Sequence, residues 1–370
     1  MNITCLRLYL GLCPLVLSGQ TYAEELTVSI DNPPESGTVA FVLFDSANSF
    51  GDLRDPAKVV RYELDGREKY RIEDVVPGEY ALMVYFDENG NDQIDKNFIG
   101  IPREPLGFSN RYAPKGPPSY SRAAFVLKPS ETLHFDVELY RPLGDFGRLG
   151  VGIGVIARSS PYRDYSGAVS QVIPAITYTG ERLQVYGPFV QWGIAGSGKL
   201  RLALTGSYRI GVYEENESPY LAGMGDREDT FMAGLAVQAE LPGGLQLQLG
   251  YEHDILDTIG GGAARISLSK GYQYGTFQFS PQLGFNYLDS KLSNYDYGVP
   301  PDKAVPGRPA YELGSTLSIE PGLGMFIEIT RDWLVLVNIS YERLDDQVTD
   351  SPIVDKDYVF KGLAVINYVF

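Results

Sequence analysis

The sequence has almost no cysteine, almost no histidine and, past its first residues, no long apolar run. Its two cysteines, Cys5 and Cys13, lie in an N-terminal segment (residues 1–23) that reads as a secretory signal. That segment runs from Arg7 through the apolar stretch Leu8 to Leu17 to a small-residue end, Thr21-Tyr22-Ala23. Cleavage after Ala23 would leave a chain without cysteine, which excludes a disulfide framework and a thiolate metal site. No later stretch reaches the roughly 18 consecutive apolar residues of a membrane helix, so helical spans are excluded. Basic charge is scarce as well. Without Arg7 the chain has 30 basic residues against 47 acidic ones, a net of −17. Nucleic acid is therefore not an expected partner, because phosphate binding needs the opposite sign.

The shortage of histidine also bears on catalysis. Only His134 and His253 could act as imidazole bases. His253-Asp254 with Asp257 lies at the end of a strand, where a barrel enzyme could keep catalytic groups; the plainer reading is a solvated rim histidine. Gly260-Gly261-Gly262 lacks the Lys-Ser/Thr and the following helix of a phosphate loop, and reads as a connection. No catalytic residue and no cofactor is expected, and the protein reads as a non-enzyme.

What the chain does have is 26 tyrosines and 41 glycines, arranged in two unlike halves. Residues 24–141 hold short hydrophobic runs: Leu26 to Ile30, Val39 to Phe44, Tyr80 to Phe86, Ala124 to Leu127 and the alternating His134 to Leu139. Pro33-Pro34, Asp65-Gly66 and Pro77-Gly78 punctuate them. This is the pattern of a small β-sandwich. Between two runs lies Asp87, Asn89, Asn91, Gln93 and Asp95, oxygen side chains at alternate positions, like the start of a calcium loop. The twelfth position is Phe98 instead of a bidentate Glu, and no helical pattern flanks the loop. An Asx-rich turn is the favoured reading, a weak Ca²⁺ site the alternative. The stretch Tyr80 to Asn110 resembles a family of small secreted bacterial domains of unknown function, which implies a transthyretin-like or immunoglobulin-like sandwich.

From residue 142 to 370 the grammar changes to long, strict alternation. In the last segment Tyr358, Phe360, Gly362, Ala364, Ile366, Tyr368 and Phe370 share one face, with Lys361 and Asn367 on the other. Phe360 and Phe370 lie ten residues apart. At about 3.3 Å per residue and a tilt near 40°, that spans roughly 25 Å, the height of a barrel's apolar band. Trp333, Tyr341, Tyr358, Phe360, Tyr368 and Phe370 are therefore expected in a lipid-facing girdle. Arg201, Arg209, Glu240, Glu252, Arg265, Gln278 and Gln282 fall on the opposite, lumen-facing parity. The fold class predicted is all-β: a periplasmic β-sandwich followed by an antiparallel transmembrane barrel in the outer membrane.

Ten strands are evident, near 147–157, 168–178, 199–212, 228–241, 245–257, 262–275, 276–290, 311–330, 333–345 and 357–370. Splitting 181–196 at Gly187-Pro188 makes a short hairpin and raises the count to twelve, which is preferred over ten. Both are even, as a barrel with both termini on the periplasmic side requires. Stretches near 213–227, 290–310 and 345–356 are expected to face outward.

Those stretches carry a second resemblance. Gly223-Met224-Gly225-Asp226-Arg227-Glu228-Asp229-Thr230 looks like a motif of the MipA/OmpV family of outer-membrane proteins. So do Asn294-Tyr295-Asp296-Tyr297-Gly298-Val299 with Ala304 and Pro309-Ala310-Tyr311, and Ser351-Pro352-Ile353-Val354. Order and spacing fit across roughly residues 146–370; the preceding sandwich departs from the family's usual plan. The resemblance implies a scaffold or envelope-assembly role, with a murein synthase and a lytic transglycosylase as partners. Outer-membrane lipid is the expected surroundings, and Phe370 resembles the terminal signal read by the barrel-insertion machinery. The alternative function is a narrow channel lined by the lumen charges, unless those charges pair and plug it.

Overall fold

A computed structural model describes residues 24–370 other than Ser166. The expected secretory signal lies outside the described residues. No helix among them is long and apolar enough to cross a membrane.

The N-terminal half is a sandwich of two sheets. One joins β1 (Glu24–Ile30) to β4 (Tyr70–Val75) and, in parallel, to β8 (Thr132–Val137). The other orders β3 (Lys58–Glu63), β2 (Thr38–Phe44), β5 (Gly78–Asp87) and β6 (Leu106–Phe108), with β7 (Ala124–Leu127) on the same edge of β5 as β6, paired at Gly78 to Ala81. Between the sheets Leu26, Val28, Phe41, Leu43, Tyr70, Ile72, Leu82 and Val84 form a closed core. In β2 every residue after Thr38 is buried, which alternation alone does not explain. Its second face (Ala40, Val42, Phe44) is covered by Phe50 of α1 (Ala47–Asp52), by Phe108 and by Tyr120 of α2 (Tyr120–Ala123). A strand with both faces covered reads as a continuous apolar run, as Val39 to Phe44 does.

The C-terminal half is a closed antiparallel barrel. Its wall runs β9 (Arg148–Ser159), β10 (Ala168–Thr179), β11 (Leu183–Tyr186), β12 (Phe189–Ser197), β13 (Leu200–Arg209), β14 (Thr230–Leu241), β15 (Leu245–Asp254) and β16 (Gly262–Lys270). β17 (Tyr272–Tyr274) continues β16 past Gly271, and both pair with β18 (Phe277–Leu288). Then come β19 (Thr316–Glu328), β20 (Trp333–Arg343) and β21 (Tyr358–Val369), and β21 closes on β9. With β16 and β17 counted as one wall strand there are twelve. The split at Gly187-Pro188 is the hairpin tip, where Gly187 takes φ 55°. One expected boundary is corrected. Residues 311–315 belong to a loop in which Tyr311 bridges Val299, and β19 begins at Thr316.

The turns at one end are short: 180–182, 198–199, 242–244, 275–276 and 329–332. Both ends of the barrel sequence lie there, beside the sandwich. At the other end the long connections fold back on themselves, with α3 (Ser290–Tyr297) and α4 (Asp346–Thr349) inside them.

Candidate functional site

The alternation that builds the wall places one set of side chains outside. Trp333 pairs with Tyr368 across β20 and β21, and Tyr341 with Phe360, their ring centroids 5.3 and 5.2 Å apart. Tyr358 packs on Phe360, and Tyr368 on Phe370, each at an edge-to-face angle. Trp333, Phe360 and Phe370 are exposed on this outer surface, alongside Leu149, Val151, Ile153 and Val155 of the neighbouring strand. Exposed apolar side chains in such number suit a hydrocarbon surround and not water.

Inside, each charge flagged from the sequence meets a partner. Arg265 pairs with Glu320 at 3.2 Å. Lys361 joins Glu320 at 2.9 Å and Glu342 at 2.7 Å. Asn286 donates to both of these glutamates. Arg209 reaches Asp296 at 2.5 Å, Glu252 accepts from Ser207 at 2.6 Å, and Gln282 reaches Asn338. Arg201 and Gln278 donate to backbone carbonyls of the sandwich, Phe98 and Pro117. Glu240 pairs at 2.7 Å with Arg54 of the sandwich.

Those last contacts belong to a ring. The sandwich sits on the short-turn mouth and touches the wall all the way round. Arg103 pairs with Glu181, and Lys115 with Asp332 at 2.7 Å. Tyr112 donates to Glu328, and burial together with that carboxylate pushes its phenol well up, so it stays a proton donor. Tyr120 N–H donates to the Gln273 side chain at 2.8 Å, and Arg148 donates to the Pro114 carbonyl at 3.0 Å. The segments around Phe98 and Gly116 enter the lumen; Phe98 lies against Gly193, and Gly116 against Phe326.

The opposite mouth is covered by the barrel's own loops. Tyr162, Tyr213, Leu221, Met224, Tyr297, Val299, Leu313, Val348, Ile353 and Val354 make a hydrophobic cluster over it. The three motifs singled out in the sequence meet here. Arg227 stacks between Tyr213 and Tyr295, 4.6 and 4.9 Å from the ring centroids. The Tyr295 hydroxyl accepts from Glu228 N–H at 2.7 Å, and Ser351 Oγ donates to the Tyr297 carbonyl at 2.6 Å. Asn294 bonds Leu313 through both ends of its amide, at 2.6 and 2.9 Å. The motifs are therefore part of a lid, their polar groups bonded to one another and to neighbouring loop and wall residues such as Arg209, Gly211 and Glu215.

The lumen between the two covers is two-sided. Gln191, Arg201, Thr205, Gln238, Gln248, Ser267, Ser269, Gln278 and Gln282 face it from β12 to β18. From β9, β10, β20 and β21 it receives Ile156, Ile173, Ala175, Leu334, Leu336, Leu363 and Val365. A lining polar throughout, as the channel reading supposes, is thus only half of what the wall presents. Against the apolar half lies a cavity of about 490 Å³, floored by Ile99, Ile101 and Pro102 of the sandwich.

The alternate-oxygen loop closes on itself. Asp87 accepts the N–H groups of Gly90, Asn91 and Asp92. Asn89 and Asn91 both donate to Asp95, while Gln93 contributes its backbone N–H to Asn91. Glu104 takes the N–H groups of Glu88 and Asp95. No group of three or more His, Cys, Asp or Glu side chains suited to a metal occurs among the described residues. His253 bonds Tyr251 at 3.2 Å, and Asp254 is occupied by Thr230 and by the N–H groups of Leu256, Ile259 and Gly260. That aspartate holds a turn, and Asp257 is not brought to it as a hydrogen-bond partner.

Sequence alone marks neither Arg54, Phe98 and Lys115 as ties between the two halves nor Glu320, Glu342 and Lys361 as one lumen network. Parity places the last three inward. For the first three there was no local signal, because their partners are far away in the chain.

Comparison with known proteins agrees with this architecture. The model of the family described as MltA-interacting protein MipA matches residues 151–370. A family described as an uncharacterized protein conserved in bacteria (DUF2141) matches residues 28–134. The putative outer membrane protein YiaT of Escherichia coli is 25% identical over 225 residues, 60% of this chain and 91% of that protein. The MltA-interacting protein of E. coli is 28% identical over 228 residues, covering 60% and 89%. Outer membrane protein OmpV of Vibrio cholerae is 29% identical over 168 residues, covering 45% and 65%. The barrel spans nearly the whole of the first two relatives, and the sandwich is an addition to them. The chain belongs to the MipA family of outer-membrane β-barrel proteins.

Proposed function

We propose that this protein is a non-enzymatic scaffold of the outer membrane, which holds a peptidoglycan-remodelling enzyme at its periplasmic face. The single observation that carries the reading is that both mouths of the barrel are covered by the chain itself. The sandwich is fastened round the whole rim of one of them. A barrel with both termini and all its tight turns at one end turns that end to the periplasm. The sandwich then stands between the membrane and the peptidoglycan as a fixed platform. The 28% identical relative whose name records an interaction with MltA supports a lytic transglycosylase as the partner class. A murein synthase brought to the same platform completes the assembly.

A narrow channel is the second reading, favoured by the polar side of the lumen. The paired charges and the two covers weigh against it. Affinity capture from an envelope extract with the full-length, detergent-solubilised protein tests the first reading. Recovery of a lytic transglycosylase is expected. Its absence, together with steady conductance in a planar bilayer, would replace the scaffold by the channel.

A further inference from the structure

The barrel closes as a ring of paired strands, but one contact in that ring is short and leaves part of the wall open. β10 pairs with β9 along its whole length, Ala168 to Thr179, but with β11 only at Thr177, Tyr178 and Thr179. One further bond, Gly187 N–H to the Ile176 carbonyl at 3.0 Å, closes the tip of the short β11–β12 hairpin. Among the described residues, no strand lies beside the edge of β10 from that tip as far as Ala168. Two strands are missing from the wall there, a gap of about 14 Å at three ordinary strand spacings. Backbone groups of alternate residues point to alternate sides of a strand, so Ile176 sets the parity, and Pro174 and Val172 also face the gap. Proline has no N–H to leave unpaired, and it sits where a sheet tolerates it, on an open edge. Val172 and Ile176 carry exposed side chains on the outer surface, at 67% and 52%, so the gap reaches down into the apolar band.

The cavity lies directly inside. Ile173 and Ala175 of β10 line it, as do Tyr186, Gly187, Pro188 and Phe189 of the hairpin tip. Its volume of about 490 Å³ lies in the ordinary range for small-molecule sites, roughly 300–1,000 Å³. Enclosed apolar space in proteins stays dry and takes up apolar ligands. Four charged side chains stand at its floor. Lys115 and Asp52 both border it and are engaged, by Asp332 and Arg54 respectively. Lys96 and Arg148 also border it, and among the described residues neither makes an ion pair. Each instead donates to one backbone carbonyl, of Asp52 and Pro114. Burial draws the Lys96 ammonium below its ordinary pKa, and the nearby Glu240 and Asp52 carboxylates only partly oppose that.

We infer that this cavity is a binding site for a single-chain anionic amphiphile, a long hydrocarbon chain with one acidic head group, admitted sideways from the membrane through the gap beside β10. The chain lies against Ile173, Leu336, Leu363 and Val365, and the head group meets Lys96 and Arg148. The inference is independent of the scaffold reading, since a partner enzyme would sit on the periplasmic surface and leave the cavity as it is.

The test uses the full-length protein in a non-ionic detergent with cis-parinaric acid as fluorescent probe and three competitors: oleate, oleyl alcohol and oleoyl-lysophosphatidylglycerol. Saturable probe binding, displaced by oleate well before the alcohol, is expected. Ala175→Phe and Leu336→Trp fill the cavity from two walls, and each is expected to weaken the probe about tenfold or more. Lys96→Gln with Arg148→Gln is expected to weaken oleate by about tenfold and leave the alcohol unchanged. Displacement by the lysolipid and not by oleate supports the site and assigns it a phosphodiester head. Equal binding to oleate and the alcohol overturns the anionic assignment. Absence of probe binding overturns the proposal, as does undiminished binding to a filled cavity. A diazirine-bearing fatty acid photolysed on the unsubstituted protein gives a reading that needs no variant. Label on the peptides carrying Ile173 or Leu363 supports the site, and label confined to the outer girdle contradicts it.

Discussion

The ring of Phe98, carried by a loop of the sandwich, fills the space in front of Gly193 on the barrel wall. A Cβ at Gly193 would come within 2.3 Å of the ring. The two residues belong to different domains, and each needs the other's shape. Gly193→Leu is expected to expel the Phe98 loop from the lumen while the barrel still forms. Limited proteolysis checks it: cleavage after Arg103 should accelerate strongly, with heat-modifiable migration of the barrel retained. Unchanged protection would mean that the loop does not depend on this contact.

A second tie is electrostatic. Arg54 and Glu240 are 2.7 Å apart and both about 29% exposed. A pair this accessible contributes about 0.5–1 kcal/mol. Arg54→Glu should loosen the sandwich at the mouth, and adding Glu240→Arg should restore it. Hydrogen exchange of the loop between β5 and β6 reports the docking; failure of the double variant to recover protection would show that the pair has no part in it.

The lid over the other mouth depends on Arg227 and Asn294. Removing the Asn294 amide leaves the Leu313 N–H and carbonyl without their partner, a cost of about 1–3 kcal/mol if water cannot replace it. Arg227→Ala removes a cation held between two tyrosine rings. Either variant, and the double variant more so, should turn an electrically silent barrel into one with flickering openings in a planar bilayer. Silence in the double variant would mean that the sandwich alone seals the lumen.

The sequence shows the wall far better than it shows what fills the wall. Strict alternation from Phe277 to Tyr287 and from Trp333 to Tyr341 gives strand, register and facing at once, because lipid demands apolar side chains on every outward position. The short β11 was legible only through Gly187-Pro188, since four residues are too few for periodicity. Lumen residues obey no such demand. Leu336 and Leu363 sit inward as apolar residues, Lys361 and Glu342 as charged ones, and only the fold shows which of them meet. The docking of the sandwich was not legible at all. It rests on pairs such as Arg54 with Glu240 and Arg201 with Phe98, separated by more than a hundred residues and marked by no local pattern.

Phe360 stands against Tyr341 on the outer surface, 55% exposed. Phe360→Arg places a charge toward lipid, at a cost of about 2–4 kcal/mol near the midplane and less toward the interface. Reduced assembly, read as loss of the heat-modifiable band in isolated outer membranes, is expected. Normal assembly would place Phe360 in water and shift the register of β21.

The most direct test of the scaffold is equilibrium binding between the purified full-length protein and a purified membrane-bound lytic transglycosylase, followed by interferometry in detergent. Saturable binding that is lost when Gly193→Leu displaces the sandwich loop is the predicted result. No measurable binding by the unsubstituted protein, with its barrel intact by heat modifiability, would contradict the account.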